Sequence, residues 1–299
     1  VSTIDTYSLL ADSCICTNGI DQLKSMHNSV LEIDLSALAN NVRQIEGILL
    51  PGTKLCAVVK ADAYGLGASK IAPELERLGV EWMAVYDPQQ AEAILTAGVG
   101  AKVLVLMPVR EIDQGTKLEL AAKARQIHWA VHSAEQMRAL AAKGKQWGVE
   151  LPVHVEIDTG MSRGGQSAEE ASALIAEIGR TAGVSLAGAF THPSSADTDA
   201  ECTAGQAATF DRVVTNLPDG IMHHLANTWA TLMEQKHHRG MVRVGLGLWG
   251  YPSSGTSEAA DRSGVRLRPV ARWVSKIVHI KSVPNGSDVG YNRTFRTNR

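Results

Sequence analysis

The stretch AVVKADAYGLG, residues 57–67, contains the residue most suited to chemistry, a lysine that directly follows an apolar run. Leu55 to Val59 is short, rich in β-branched residues and continuously apolar, which is typical of a buried strand. Lys60 therefore lies where this strand leaves the core, and there a lysine either extends its amine to solvent or uses it as a nucleophile. An amine that is desolvated and close to other cations loses its proton more easily, as Schiff-base chemistry requires.

The elements that would position Lys60 form a regular alternation. Strand-like apolar runs recur along the chain, and amphipathic segments with helical spacing lie between them, several ending on glycine. This alternation predicts an α/β protein with a parallel sheet, and eight runs fit a (β/α)8 barrel of the TIM type. An open doubly wound sheet is the alternative, but no G-x-G-x-x-G follows an early strand. The runs are 55–60, 82–86, 102–107, 127–131, 152–158, 185–192, 222–227 and 241–246.

The same pattern predicts the limits of the barrel. We expect it to span residues 30–270, after an N-terminal extension over residues 1–29. The segment ARWVSKIVHIKSVP, residues 271–284, alternates like a strand and has no helix behind it. We therefore expect residues 271–299 to be the beginning of a C-terminal β domain, which this chain does not complete.

In such a barrel the active site lies at the C-terminal ends of the strands. The side chains there offer an amine, a phenol, two guanidiniums and an imidazole, but few acids and no cluster of metal ligands, so a metallohydrolase is a poor fit. The ends of the seventh and eighth strands are the usual phosphate-binding place, where backbone N–H groups face an anion. The strand-end residues are Lys60, Tyr64, Asp158, Arg163, His192, Asn227, Thr228, Arg243, Gly245 and Leu246.

A phosphorylated aldehyde that reacts with a lysine is pyridoxal 5′-phosphate (PLP). These residues therefore predict a PLP site, although a sugar-phosphate aldolase that works through a Schiff base would satisfy much of the same pattern.

Composition limits the partners of the protein. The net charge is −2, so there is no basic footprint for nucleic acid, and no apolar run approaches the length of a membrane span. The four cysteines do not have zinc-site spacing, and we expect them to be mostly free thiols. The first residues lack the pattern of a signal peptide, and the compartment stays open between the cytoplasm and, with a leader already removed, the periplasm.

Several motifs in one order resemble the alanine racemases, which are fold-type III PLP enzymes. The resemblance runs from about Val30 to the end of the chain. The motifs are AVVKADAYGLG (57–67), DTGMSRGG (158–165), TH (191–192), HLANTWATL (224–232), MVRVGLGLWG (241–250) and VGYNRTF (289–295).

This resemblance implies a role for each matching residue. Lys60 would hold PLP and act as one catalytic base, and Tyr291, contributed by the partner subunit of a head-to-tail homodimer, would be the base on the opposite face. Arg163 would bind the substrate carboxylate, and Arg243 would hydrogen-bond the pyridine nitrogen. His192 would pack beside the ring and link to the tyrosine. The phosphate would be bound by Tyr64, Thr228, Gly245 and Leu246, and Asn227 would also contact the cofactor.

The chemistry of racemisation agrees with these roles. A proton must leave one face of the substrate Cα and return on the other, and one base on each face achieves this. Arginine cannot give its proton to the pyridine nitrogen, so the ring stays a weaker electron sink and side reactions are discouraged. The function implied is interconversion of L- and D-alanine, or of a broader set of amino acids.

One position departs from the family pattern. Many members carry a carbamylated lysine seven residues before the carboxylate-binding arginine, and here that position is Glu156. We expect Glu156 to supply the same negative charge and to orient Arg163, unless it is held by other hydrogen bonds. The broad-specificity amino-acid racemases also lack that lysine, so the substrate range stays open.

Three other functions remain possible from the sequence. One is a PLP-binding barrel without turnover, similar to the small PLP-homeostasis proteins. Another is an inactive racemase fragment. The third is a decarboxylase or aldolase of the same fold, although decarboxylases of this fold pair the pyridine nitrogen with an acid, where MVRVGLG offers Arg243.

Overall fold

The computed structural model describes residues 6–10, 13–16, 28–113, 116–251 and 263–299, the first two ranges as backbone only. Three strands come first, β1 (Thr6–Leu10), β2 (Ser13–Cys16) and β3 (Ser29–Asp34). Helix α1 (Leu35–Glu46) follows β3 directly, because Asp34 Oδ1 accepts a hydrogen bond from Ala37 N at 2.9 Å and caps the helix.

Eight parallel strands form the central barrel. Their order is β10–β9–β8–β7–β6–β5–β4–β11, where the strands are β4 (Lys54–Val58), β5 (Trp82–Val85), β6 (Lys102–Val105), β7 (Ile127–Val131), β8 (Leu151–Glu156), β9 (Val184–Phe190), β10 (Met222–His224) and β11 (Met241–Val244). Two backbone hydrogen bonds join the last pair, Gly240 N to His223 O at 3.0 Å and Arg243 N to Ala226 O at 2.9 Å. Each strand coincides with one of the eight apolar runs, and the predicted (β/α)8 barrel is confirmed.

Helices cover the outside of the barrel. Side-chain caps fix where they begin: Asp87 before Pro88, Ser133 before Ala134, and Ser167 in a reciprocal pair with Glu170. The helices are α2 (Ala68–Arg77), α3 (Pro88–Thr96), α4 (Lys117–Lys123), α5 (Ala134–Trp147), α6 (Ala168–Ile178), α7 (Ala200–Val214), α8 (Thr228–Met233) and α9 (Leu246–Trp249).

The core has two parts that differ in polarity. The space between strands and helices is apolar, because alternate strand residues such as Ala57 and Val103 point outward against the helices. Inside the barrel, one side is filled by apolar residues that include Trp82 and Leu104. The other side is polar and buried, and it is filled by His128, His154, His224 and Arg243.

A second sheet is antiparallel. Its order is β12–β3–β1–β2, with β12 (Ala271–Ser275) paired to β3. The strand expected over residues 271–284 is thus regular only as far as Ser275. The side chains that follow, such as Ile277 and Ile280, are exposed, and a hairpin of β13 (Asp288–Val289) and β14 (Phe295–Arg296) comes next.

Two properties of the described residues concern partners and cysteines. Across them, no helix combines the length and hydropathy that crossing a membrane requires. Cys56 and Cys202 are free thiols, whereas the side chains of Cys14 and Cys16 lie outside the part that the structure describes.

Two helical glycines give a matched test of the packing around the barrel. A Cβ at Gly144 in α5 would overlap the Gly183 carbonyl oxygen and lie 2.8 Å from Val149 O, whereas a Cβ at Gly205 in α7 would meet nothing within 4 Å. We expect Gly144→Ala to lower the free energy of unfolding by about 1–3 kcal/mol through overpacking. Gly205→Ala should raise it by about 0.5–1 kcal/mol, because alanine loses less backbone entropy. Urea unfolding of both variants checks this, and a stabilised Gly144→Ala would contradict the packing described.

Candidate active site

Lys60 lies two residues beyond the end of β4, at the start of a left-handed turn. The turn spans Lys60–Gly65, and residues 61 to 64 all have positive φ, between 51° and 59°, although none of them is glycine. Each such residue costs roughly 1–2 kcal/mol relative to a right-handed conformation. Strain of this kind persists only where the surroundings impose it, and it is concentrated at functional sites.

Two polar side chains hold the turn. Gln90 Oε1, from α3, accepts hydrogen bonds from Ala61 N at 3.0 Å and Tyr86 N at 3.2 Å. Asp62 Oδ1 accepts from Ala68 N at 2.6 Å, which joins the turn to the beginning of α2. The turn is therefore fixed by tertiary contacts and presents Lys60 and Tyr64 at the C-terminal end of the barrel.

The electrostatic surroundings of Lys60 favour its neutral form. Burial lowers the pKa of Lys60, and the Arg163 cation lowers it further. Burial together with Arg243, Arg163 and Lys60 lowers the pKa of His192 to about 3, so this imidazole is neutral at physiological pH. The mutual effects on these pKa values show that the structure brings Lys60, Arg163, His192 and Arg243 into one neighbourhood.

Arg243 is the buried cation of this group. Its NH2 group donates to Thr191 O at 2.7 Å, and its NH1 group donates to His224 Nδ1 at 2.7 Å. NH2 also lies 3.3 Å from His192 Nδ1. Burial lowers the pKa of Arg243 to about 10, so it stays protonated at neutral pH. Its Nε makes no hydrogen bond with the residues that the structure describes, which leaves this donor for a ligand.

The ends of β10 and β11 form a small cradle beside Tyr64. A Cβ at Gly245 would overlap the Tyr64 hydroxyl oxygen and lie 3.1 Å from Tyr64 Cζ, so only glycine allows this approach. Thr228 Oγ1 accepts hydrogen bonds from Gly245 N at 3.2 Å and Gly247 N at 3.3 Å. A hydroxyl, a phenol and backbone N–H groups thus converge where phosphate is usually bound in such barrels.

Two other residues predicted to bind the cofactor flank this cradle. Asn227 caps α8, with its Oδ1 accepting from Ala230 N at 3.1 Å, and the partly exposed Leu246 begins α9. Asn227 therefore acts as the N-cap of α8, and its contact with the cofactor stays a prediction.

Arg163 is exposed and is carried by a tight loop after β8. Asp158 Oδ1 accepts hydrogen bonds from the backbone N–H groups of Gly160, Met161 and Ser162, at 2.9 to 3.0 Å. Burial acts to raise the pKa of Asp158, but these three donors together hold it below its ordinary value. Asp158 thus shapes the loop, and the loop places Arg163 close enough to lower the pKa of Lys60.

Glu156 has a different partner from the one that the sequence suggested. Its Oε2 lies 2.7 Å from His132 Nδ1, and both side chains are largely buried. His132 Nε2 contacts Leu106 O at 2.9 Å, so the pair joins the ends of β6, β7 and β8. No ion pair between Glu156 and Arg163 is present among the described residues, because the carboxylate is held by His132 beneath the loop.

The Arg163 loop packs closely on this pair. A Cβ at Gly164 would lie 2.9 Å from Glu156 Oε2 and 3.1 Å from His132 Nδ1. Gly165 N also donates to His132 Nδ1 at 3.2 Å. Glu156 therefore supports the loop that carries Arg163 from below rather than by direct contact with the guanidinium.

Tyr291 does not join the other predicted site residues within one chain. It lies in a short 3₁₀ turn, Tyr291–Arg293, and its side chain is 97% exposed, whereas Lys60 is half-buried at the end of the barrel. Any role for Tyr291 beside Lys60 needs a second chain.

Three residues that contribute to the site were not predicted from the sequence, namely His132, Gln90 and His224. His132 follows β7 as Arg163 follows β8, so inspection of every strand end would have found it. Gln90 is a helix residue that supports the left-handed turn, and no sequence pattern signals that contact. His224 was noted only as part of a motif, and its contact with Arg243 depends on which barrel residues point inward.

The arrangement suits an anionic, aldehyde-bearing cofactor. It offers a half-buried amine with a lowered pKa, a cluster of hydroxyl, phenol and backbone N–H groups, and a guanidinium whose Nε has no hydrogen-bond partner among the described residues. The described residues contain no grouping of three or more His, Cys, Asp or Glu side chains placed to bind a metal ion.

Comparisons with known proteins agree with this geometry. Residues 33–253 match the family model "Alanine racemase, N-terminal domain". An alanine racemase from Desulfovibrio desulfuricans is 35% identical over 276 residues, 90% of this chain and 71% of that protein. One from Synechocystis is 34% identical over 89% of this chain and 70% of its own length.

Solved structures give the same result. The alanine racemase of Clostridium difficile 630 matches with a TM-score of 0.79 and 32% identity, over 91% of this chain and 70% of that chain. The enzyme from D-cycloserine-producing Streptomyces lavendulae matches with a TM-score of 0.79 and 26% identity, over 91% of this chain and 71% of that chain. The barrel, the lysine after its first strand and these relatives agree, and the chain belongs to the alanine racemase family.

Proposed function

We propose that this protein is a PLP-dependent amino-acid racemase that interconverts L- and D-alanine, or a broader set of amino acids. The observation that carries the proposal is Lys60, an amine with a lowered pKa that a strained turn presents near Arg163. Membership of the alanine racemase family supports the reaction class.

The residues that would hold PLP follow from the geometry of the site. Lys60 would bind the aldehyde, and Arg243 would donate Nε–H to the pyridine nitrogen. Tyr64, Thr228 and the backbone of Gly245 and Leu246 would bind the phosphate. When bound, the cofactor withdraws electrons from the substrate and makes its Cα–H acidic.

The side chains of the protein then bind the substrate and move the proton. Arg163 binds the carboxylate, since it is a cation on an exposed loop that faces the Lys60 region. The Lys60 amine takes up or returns the Cα proton on its face, which requires the neutral amine. Arg243 keeps its own proton and only hydrogen-bonds, because guanidinium is too weak an acid to protonate pyridine.

The base on the opposite face is assigned to Tyr291 of a second copy of the chain. Within one chain this phenol is 97% exposed, on a segment that also exposes Val289 and Phe295. A head-to-tail homodimer would bring this segment to the Lys60 end of the neighbouring barrel. His192, neutral at physiological pH, is the side chain that would link to the phenol.

The effect of Arg163 on Lys60 can be tested through pH. Arg163→Gln removes a cation that lowers the pKa of Lys60, so that pKa should rise and less of the amine should be neutral at a given pH. PLP binding can be monitored by the visible absorbance of the bound cofactor as a function of pH. The midpoint of this pH curve should shift to higher pH in Arg163→Gln. Arg138→Gln is the control, because this exposed arginine pairs with Glu177 on the outer helices. Equal midpoints for both variants would contradict an effect of Arg163 on the pKa of Lys60.

Complementation between two inactive variants tests the shared site and the function together. Lys60→Ala and Tyr291→Phe should each lose at least about 100-fold in racemisation of alanine, the usual effect of removing a catalytic base. Co-expression should restore about a quarter of wild-type activity, because half of the dimers are mixed and each contains one intact site.

The controls separate this result from loss of folding. Lys54→Ala changes a surface lysine at the other end of β4 that pairs with Glu81, and it should keep full activity. A Tyr291→Phe protein that racemises normally would contradict the two-base mechanism. Co-expressed variants that stay inactive would contradict a site made by two chains, and a wild-type protein that binds PLP without turnover would favour the binding-protein alternative.

A further inference from the structure

A column of three buried histidines leads away from Arg243 through the interior of the barrel. Arg243 NH1 lies 2.7 Å from His224 Nδ1, and His224 Nε2 lies 2.9 Å from His154 Nδ1. His154 Nε2 lies in turn 3.0 Å from His128 Nδ1. The three rings come from β10, β8 and β7, and the mechanism proposed above uses none of them for proton transfer.

The direction of the hydrogen bonds is set at both ends of the column. Guanidinium only donates, so His224 Nδ1 must accept and His224 Nε2 must carry the hydrogen. His154 Nδ1 therefore accepts the hydrogen bond from His224 Nε2, and His154 Nε2 donates to His128 Nδ1. The His128 ring also hydrogen-bonds to the backbone of Arg125, in the sense that favours a protonated ring nitrogen. Each histidine is therefore a neutral imidazole with its hydrogen on Nε2, and every ring presents a lone pair towards Arg243.

Burial agrees with neutral rings. It is the largest cause that lowers the pKa of all three histidines, and it brings the pKa of His128 to about 3. Nearby cations act in the same direction, Arg243 at the inner end and Lys102 and Arg125 at the outer end. None of the three rings is expected to gain a charge at physiological pH.

The fold makes room for the central ring in two ways. The pairing of β8 with β9 shifts register between Val153 and His154, which places His154 opposite Gly188. A Cβ at Gly188 would overlap His154 Nδ1 and would lie 2.8 Å from Met222 O. An irregular strand and a glycine together accommodate an imidazole at a barrel position where an aliphatic residue would usually pack.

The column provides a hydrogen-bond acceptor for the buried guanidinium of Arg243. The guanidinium is buried, and none of the hydrogen bonds that the described residues make with it goes to a carboxylate. A buried charge that is not hydrogen-bonded to a carboxylate needs aligned dipoles or aromatic faces in its place. Phe190 offers such a face, with its ring centroid 5.1 Å from Arg243 Cζ, and it stacks on His224 at 5.0 Å.

We propose that the His128–His154–His224 column holds the guanidinium of Arg243 in position and solvates its charge, which makes His154 a positioning residue for the cofactor. This inference rests on the proposed function, because that function assigns Nε of Arg243 to the pyridine nitrogen of PLP. His154 touches neither cofactor nor substrate and acts through His224.

Three variants test the proposal in the PLP-loaded protein. His154→Phe keeps an aromatic ring but removes both hydrogen bonds, and it should weaken PLP binding roughly tenfold, the scale of one lost buried hydrogen bond. It should also move the visible absorption band of the bound cofactor. His154→Gln restores one acceptor and one donor and should recover most of both properties.

His223→Phe is the matched control. This residue neighbours His224 but lies outside the column beside Phe210, and its Nε2 has no hydrogen-bond partner, so PLP binding should not change. If His154→Phe bound PLP with wild-type affinity and an unchanged spectrum, the proposal would be overturned.

A second measurement needs no folded variant and no cofactor. Nitrogen NMR of the histidine rings in the PLP-free protein should show His128, His154 and His224 as Nε2–H tautomers that do not titrate between about pH 5 and 9. A charged ring or an Nδ1–H tautomer at His154 or His224 would contradict the column. Failure of the racemase function would instead appear as a wild-type protein without turnover, with the tautomers as described.

Discussion

Burial of the Arg243 charge without a carboxylate partner is the constraint on which the rest of the site depends. The guanidinium is satisfied by backbone carbonyls, by the ring of Phe190 and by histidine lone pairs, and none of its hydrogen bonds with the described residues goes to a carboxylate. The charge of Arg243 also acts on its neighbours, because it helps to lower the pKa of His192. If Arg243 were paired with an acid, this end of the barrel would lose part of the positive potential that favours the anionic cofactor we propose.

The two anionic groups that the proposed function requires, a phosphate and a carboxylate, are assigned to different residues of the site. Tyr64, Thr228 and the Gly245 backbone form an uncharged cluster to which we assign the phosphate, and Arg163 lies on an exposed loop and is assigned the carboxylate. Glu156 does not form an ion pair with Arg163, because its carboxylate contacts His132 beneath the loop. The loop is thus supported by the buried contact between His132 and Glu156, and the Arg163 guanidinium stays exposed.

Much of the fold and of the site was predictable from sequence for a specific reason. Buried parallel strands appear as short apolar runs, and the residues after them must meet at one end of a barrel, so Lys60, Arg163 and His192 were identified as candidates by their position. Arg243 lies within β11, and its candidacy came from the strand that carries it. The left-handed turn after β4 was not predictable, since four residues without glycine adopt positive φ only under contacts with Gln90 and α2. The His132–Glu156 pair and the ring space at Gly188 depend on neighbours across strands, which periodicity does not specify.

The most direct measurement is incubation of the PLP-loaded protein with L-alanine in deuterated water, followed by chiral separation and determination of deuterium at Cα. A base on each face of the cofactor predicts D-alanine that carries deuterium at Cα, because the proton removed from one face is replaced from solvent on the other. Deuterium that appears only in L-alanine would contradict the second base. A protein that produces neither D-alanine nor deuterated alanine would contradict the racemase function itself.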